Sequence, residues 1–255
     1  MTAPNGFDYS AIPEGYYDEV LRQSHPIRKS WHLHKFDRIV DFLPAKGGPY
    51  SILDIGCFAG SFLGMLSVER FTRQLGVDIL PPQIGYANRI YGGPHREFRA
   101  LEAISQVGDL NEQFDFITLI EVIEHLSPAE IIELFSGIDR ILKPSGRLIL
   151  STPNYFSTWP VLEWILNQIS EVSYQEQHIT KFTYFFFEKK ISQIVPGVWN
   201  RFDLELKTTT HFISPFLAAI HEQSARKVAK VVPHETWKFP FGNLLIAVLE
   251  KKPVL

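Results

Sequence analysis

The segment Glu121-Val122-Ile123-Glu124-His125 places two carboxylates and an imidazole within five residues. On a helical turn, spacings of three and four carry side chains to one side, so Glu121, Glu124 and His125 can converge. A second imidazole, His178, stands in Gln177-His178-Ile179-Thr180-Lys181-Phe182-Thr183. Two carboxylates and two imidazoles suit a divalent cation such as Mg, with open positions left for a substrate diol. Either imidazole can also act as a general base. Its ordinary pKa of about 6.5 leaves it largely neutral near pH 7, with His125 the first candidate and His178 the reserve. The plainer alternative is that either histidine is a hydrogen-bonded structural one.

A second pattern lies upstream. Leu53-Asp54-Ile55-Gly56-Cys57-Phe58-Ala59-Gly60 follows a short apolar run and precedes the start of a helix. In that context a glycine turn signals nucleotide or nucleoside binding, because Gly56 and Gly60 let the backbone approach a ligand and the helix start offers N–H groups. Val77-Asp78 ends the next apolar run. An acidic residue there suits the two hydroxyls of a ribose. The competing explanation is that both glycines only allow close strand–helix packing, and that Asp78 only caps the following helix.

These residues need a frame. Strands are expected over 50–55, 74–79, 114–120 and 147–151, with helices over 62–66, 82–91 and 128–142 between them. Such alternation, with strongly apolar strands, argues for a mostly parallel, doubly wound sheet covered on both faces. Ser127, Pro128 and Glu130 form a capping-box start for the helix at 128. Residues 14–42 read as one or two helices, with Trp31, Leu33, Phe36, Ile39, Val40 and Leu43 recurring at helical intervals until Pro44, Gly47, Gly48 and Pro49. Later elements are expected as helices over 159–169 and 184–194, strands over 202–211 and 244–249, and a helical insertion over 212–241.

The chain has 255 residues, 45% hydrophobic and 21% charged, in line with one large α/β domain with decorations. A net charge of −3 supplies no global positive field for nucleic acid. The single cysteine, Cys57, excludes an intrachain disulfide framework and fits a reducing compartment. With no apolar run of membrane-spanning length, a cytoplasmic location is expected.

Residues 51–154 carry these motifs in an order that resembles the core of class I S-adenosylmethionine-dependent methyltransferases. Leu53 to Gly60 resembles the family's first motif, and Gly76-Val77-Asp78 its ribose-binding strand end. Phe114-Asp115 resembles the start of its fourth strand, and Leu142-Lys143-Pro144-Ser145-Gly146-Arg147-Leu148 its turn into the fifth. The resemblance implies a Rossmann-like, mostly parallel seven-stranded sheet with an antiparallel last strand. Residues 1–48 would form an N-terminal helical segment or lid, and 49–255 the catalytic domain, with substrate-side insertions at about 153–200 and 212–241. It implies S-adenosylmethionine as cofactor, contacted by Asp54, Gly56, Cys57, Phe58, Gly60, Asp78, Ile79, Leu101 and Glu121. The family carries glycine where this chain has Phe58, a bulky residue that narrows the cofactor site or shapes the substrate side.

The Glu-x-x-Glu-His string resembles two branches, the ubiquinone-pathway O-methyltransferases and the enzymes that methylate the terminal 2′-hydroxyl of small RNAs. Carried over from the RNA branch, magnesium ligation falls on Glu121, Glu124, His125 and His178. Without a metal, Glu121 contacts the cofactor, Glu124 is solvated or caps a helix, and His125 alone is the base. The leading expectation is O-methylation of a small molecule or saccharide precursor. RNA 2′-O-methylation is the alternative, disfavoured by the acidic balance, and a non-catalytic interaction module obstructed by Phe58 is a third. The aromatic stretches around Trp159 and over 182–187 fit either core or acceptor binding, and Trp31, His32, His34 and Lys35 either a lid or a packed helix.

Overall fold

In the computed structural model, residues 12–23, 26–169, 178–212 and 240–253 are described. Seven strands form one sheet: β1 (Tyr50–Ile55), β2 (Phe71–Asp78), β3 (Arg96–Ala100), β4 (Phe114–Ile120), β5 (Leu142–Pro153), β6 (Phe202–Thr210) and β7 (Leu244–Lys251). Their order is β3-β2-β1-β4-β5-β7-β6. The first five pair in parallel, and β7 runs antiparallel to both β5 and β6. This is the expected Rossmann-like methyltransferase sheet.

The strands are apolar on both sides because both sides are covered. Leu53 and Ile55 of β1 join one core with Ile117, Leu119, Leu148 and Leu150. The helix α5 (Pro128–Ile141) closes it through Ile131, Leu134, Phe135 and Ile138. Ile52 points to the opposite core, built with Ile39 and Leu43 at the chain's N-terminal side, Phe62 and Leu63 of α3 (Ser61–Gly64), and Ile84 and Ala87 of α4 (Pro81–Tyr91). The capping box of α5 forms as the sequence implies, with the Ser127 N–H donating to Glu130 Oε2 at 2.8 Å and the Glu130 N–H donating back to Ser127 Oγ at 3.4 Å.

Two N-terminal helices, α1 (Tyr16–Gln23) and α2 (Pro26–Asp41), precede the sheet. Buried Asp18 anchors α1, accepting from Ser61 Oγ at 2.9 Å, from Tyr86 Oη at 2.7 Å and from the Tyr91 hydroxyl. The first turn of α3 is thereby tied to the N-terminal segment. After β5 come α6 (Trp159–Ile169), α7 (Phe187–Ile194) and α8 (Val198–Arg201). Helix α7 begins three residues later than the expected 184, and α3 is a single turn. The expected insertion at 212–241 lies almost wholly outside the described residues. Among the described residues, no helix is long and apolar enough to cross a membrane.

Strand β3 was not visible in the sequence as a strand. Arg96-Glu97-Phe98-Arg99-Ala100 has a single large apolar residue, as an edge strand can, and its guanidinium and carboxylate groups pair along the surface with Arg73 and Glu112. Phe98 is its one buried side chain, and Arg96 and Asn88 tie the strand to its neighbours by hydrogen bonds. An added Cβ at Gly60 would stand 2.7 Å from the Phe98 ring, and one at Gly76 2.4 Å from it, so both glycines make room for this side chain. Phe98→Ala should therefore cost about 3–5 kcal/mol of unfolding free energy, read by urea denaturation, with loosening centred on the glycine turn.

Candidate functional site

The parallel strands β1, β2, β4 and β5 all end on one edge, and the order reverses between β1 and β4, where open α/β sheets bind ligands. The turn after β1 is held tightly. Gly56 and Cys57 both donate to the Val77 carbonyl, at 2.8 and 3.0 Å, and the Gly60 N–H donates to the Cys57 carbonyl at 2.9 Å. Gly56 has φ 75° and passes so close to Val122 that a Cβ would lie 2.4 Å from Cγ2. Packing thus requires both glycines, because Val122 and the Phe98 ring fill the space that their side chains would take.

Phe58 also has positive φ, 46°, at the position where the family pattern carries glycine. Its N–H donates to Asp78 Oδ2 at 2.9 Å, and its ring meets Tyr17 edge-on with centroids 4.9 Å apart. Asp78 Oδ1 accepts from the Leu80 N–H at 3.0 Å. The carboxylate both holds Leu80, the residue just before α4, and stitches β2 to the glycine turn. Burial raises its pKa against these backbone hydrogen bonds. Ionised, it keeps lone pairs beyond the two already used. The Leu101 N–H bonds the Asp78 carbonyl at 2.8 Å, which places Leu101 at the end of the same strand pair, and Ile79 follows directly.

Asp54 is buried beneath the turn and accepts from Thr118 Oγ1 at 2.7 Å; burial pushes its carboxyl up to about 7. Glu121 leaves β4 with φ 55° and pairs with buried Lys35 of α2. Burial opposes its ionisation, but the charge of Lys35, with His32 beside it, holds the carboxyl down at about 2.

Glu124, His125 and His178 do come together, each offering a donor atom within 4.8 Å of the others. Glu124 and His125 lie on a short 3-10 turn (Ile123–His125), and His178 reaches them from the segment after β5. Thr180 fixes that approach, its N–H donating to the Glu124 carbonyl at 3.0 Å and its hydroxyl to the Leu126 carbonyl at 2.7 Å. Glu124 is fully buried, and neither of its carboxylate oxygens has a hydrogen-bond partner among the described residues. Burial, with the Glu121 charge adding to it, pushes its pKa well above the ordinary value. Of the four residues expected to hold a metal, Glu121 is the one turned elsewhere, toward Lys35.

Two participants were not singled out by sequence. Glu163 of α6 accepts at 2.7 Å from Tyr155 Oη and lies 2.7 Å from His178 Nδ1. Its signal was available, since it is the sole charged residue of the apolar stretch 159–169. His211, at the end of β6, donates from Nε2 to the Trp31 carbonyl at 2.8 Å and stacks on that indole, with centroids 4.4 Å apart. Helix α2 thus bridges the ends of β4 and β6.

The methyltransferase domain family matches residues 28–196. The chain belongs to that family. Its motifs, sheet order and match place this methyltransferase in the S-adenosylmethionine-dependent class I. It is 28% identical over 154 residues to the ubiquinone biosynthesis O-methyltransferase of Pseudomonas fluorescens (strain SBW25), covering 57% of this chain and 61% of that one. The chain therefore spans about six-tenths of the length of such relatives. With the protein of the same name from Pseudomonas entomophila (strain L48) the identity is 26% over 206 residues, covering 76% and 78%. Among solved structures, the plantazolicin methyltransferase BpumL, crystallised with a monoazolic desmethylPZN analog and SAH, superposes with a TM-score of 0.59. That match has 20% identity and covers 93% of this chain and 88% of that one, and it shows a shared fold.

Burial lowers the pKa of His211 from 6.5 to about 3. Below pH 6.5 the unfolded chain takes up a proton that the folded one refuses, so stability should fall with pH between about 6.5 and 3. Unfolding curves across that range should show a shallower pH slope in His211→Gln than in the parent.

Proposed function

We propose that this methyltransferase transfers the methyl group of S-adenosylmethionine to a hydroxyl of a small-molecule acceptor, with a saccharide precursor as the first candidate, in the cytoplasm. The observation that carries the reading is the convergence of Glu124, His125 and His178 at the strand edge that also holds the glycine turn and Asp78. The names of the relatives, ubiquinone biosynthesis O-methyltransferases, support an oxygen acceptor.

The cofactor fits the residues present. Asp78, buried at the end of β2 beside the glycine turn, keeps acceptor lone pairs beyond the backbone N–H groups it already binds, as a ribose diol requires. Asp54, Cys57, Phe58, Gly60, Ile79, Leu101 and Glu121 surround the same edge. When bound, S-adenosylmethionine supplies an already activated methyl group. What is left to the chain is to align the acceptor oxygen and take up its proton. His125, half-buried at the rim, is assigned as the base, with His178 as reserve. Residues 1–48 serve as a lid, a role supported by Tyr17 lying on Phe58 and Lys35 on Glu121.

A divalent cation such as Mg fits as well. The buried carboxylate of Glu124 has unsatisfied oxygens, and two imidazoles lie beside it, a donor set of the kind such ions take. Glu124, His125 and His178 would hold the ion, which would lower the pKa of the acceptor hydroxyl. Glu121 would join only by leaving Lys35.

S-adenosylhomocysteine should raise the melting temperature of the parent protein, and Asp78→Ala should weaken that binding markedly. Equal affinity in the two would remove Asp78 from the ribose role. His125→Ala should leave cofactor affinity nearly intact while lowering turnover by roughly 10²- to 10⁴-fold. Activity should also fall with a chelator and return with Mg, and activity indifferent to chelation would remove the metal and leave the base.

A further inference from the structure

His178 is held from behind by a buried triangle. Its Nδ1 lies 2.7 Å from Glu163 Oε1 and 2.8 Å from Tyr155 Oη, and these two oxygens are 2.7 Å apart. Glu163 is 5% exposed and His178 7%, so water is largely kept from the arrangement. Lys181 Nζ sits 4.9 Å from the centre of the Tyr155 ring, on the outer side of the network.

The proton count in this triangle has one consistent solution. An ionised carboxylate only accepts, so Tyr155 gives its single proton to Glu163 and leaves its own oxygen as an acceptor. Nδ1 then faces two acceptors, and a bare lone pair there would meet lone pairs at both contacts. The imidazole must carry its proton on Nδ1. In the neutral ring this makes Nε2 the bare nitrogen, the only one with a lone pair to offer the neighbouring Glu124 and His125, whose ring centre is 5.1 Å away.

We infer that Glu163, with Tyr155 beside it, is a positioning residue that locks His178 in the Nδ1–H tautomer and so presents bare Nε2 to the Glu124–His125 cluster. The inference rests on the proposed role of His178 at the acceptor site. A carboxylate behind a ligating or proton-accepting imidazole sets which nitrogen is available and how the ring is oriented. Two segments of the chain meet in this network, one with Tyr155 and Glu163 and the other with His178.

The tautomer is read directly by long-range ¹H–¹⁵N correlation of the histidine ring in the protein without added metal. The parent should show His178 protonated at Nδ1. In Glu163→Leu the Tyr155 hydroxyl loses its acceptor and turns its proton onto Nδ1, so the ring should switch to the Nε2–H form. Tyr155→Phe and Glu163→Gln, which both keep an acceptor oxygen at Glu163's position, should retain Nδ1–H. A parent ring protonated at Nε2, or a Glu163→Leu ring unchanged from the parent, overturns the inference. Should Glu163→Leu fail to fold, the parent and Glu163→Gln spectra still decide it. Cobalt titration followed by visible absorbance separates this from the metal reading. Parent protein that takes no cobalt removes the metal, whereas a parent that does bind it should bind about 10- to 100-fold more tightly than Glu163→Leu.

Discussion

Four carboxylates crowd the carboxyl edge of this sheet, and what each finds to offset its burial organises the rest of the structure. Asp54 has a threonine hydroxyl, Asp78 two backbone N–H groups, and Glu121 a lysine. Glu124 has no hydrogen-bond partner of this kind among the described residues. Burying an ionised carboxylate without a partner is far more costly than burying one that is bonded, so burial pushes the Glu124 carboxyl toward its neutral form. Asp78 and Glu121 lie on opposite sides of the switch between β1 and β4.

The N-terminal helices follow from the same constraint. Helix α2 supplies Lys35 to Glu121, and its Trp31 carbonyl takes the proton of buried His211. Helix α1 lodges Asp18 under Ser61, Tyr86 and Tyr91, beside the start of α3. Ion pairs near a surface are worth little, but a buried pair that loses a partner leaves an uncompensated charge. The N-terminal segment is thus bound to the sheet edge by groups that cannot be left alone. Its covering of the glycine turn is tied to the site's electrostatics as well as to apolar packing.

Beyond β5 the logic is positional. Asn154 receives the backbone N–H groups of Phe156 and Tyr184, and donates to the Pro240 and Gly242 carbonyls. One buried amide therefore joins the chain leaving β5, the segment carrying His178 and the approach to β7. That amide lies next to Tyr155 of the histidine triangle.

Much of this was legible from sequence because it is local. The apolar run 50–55, the Gly56–Gly60 turn, Asp78 at a strand end and the Ser127–Glu130 cap each announce themselves within a few residues, where period, φ requirements and capping chemistry act. The parallel sheet follows from the alternation of such units. Strand β3 escaped because five residues at an edge with one buried side chain, Phe98, carry no periodic signal. The convergence of Glu124, His125 and His178 could be suspected from types and spacing, but not which carboxylate would stay in the cluster. Glu121 and Glu124 are three residues apart in one motif and alike in chemistry. Only the tertiary fold, by bringing Lys35 from 86 residues upstream onto Glu121 and none onto Glu124, made one a compensated ion and the other a buried carboxyl pushed toward its neutral form. Glu163 behind His178 was decided in the same way, because a hydrogen bond between residues on different elements depends on packing, and packing is not written in any local stretch of the chain.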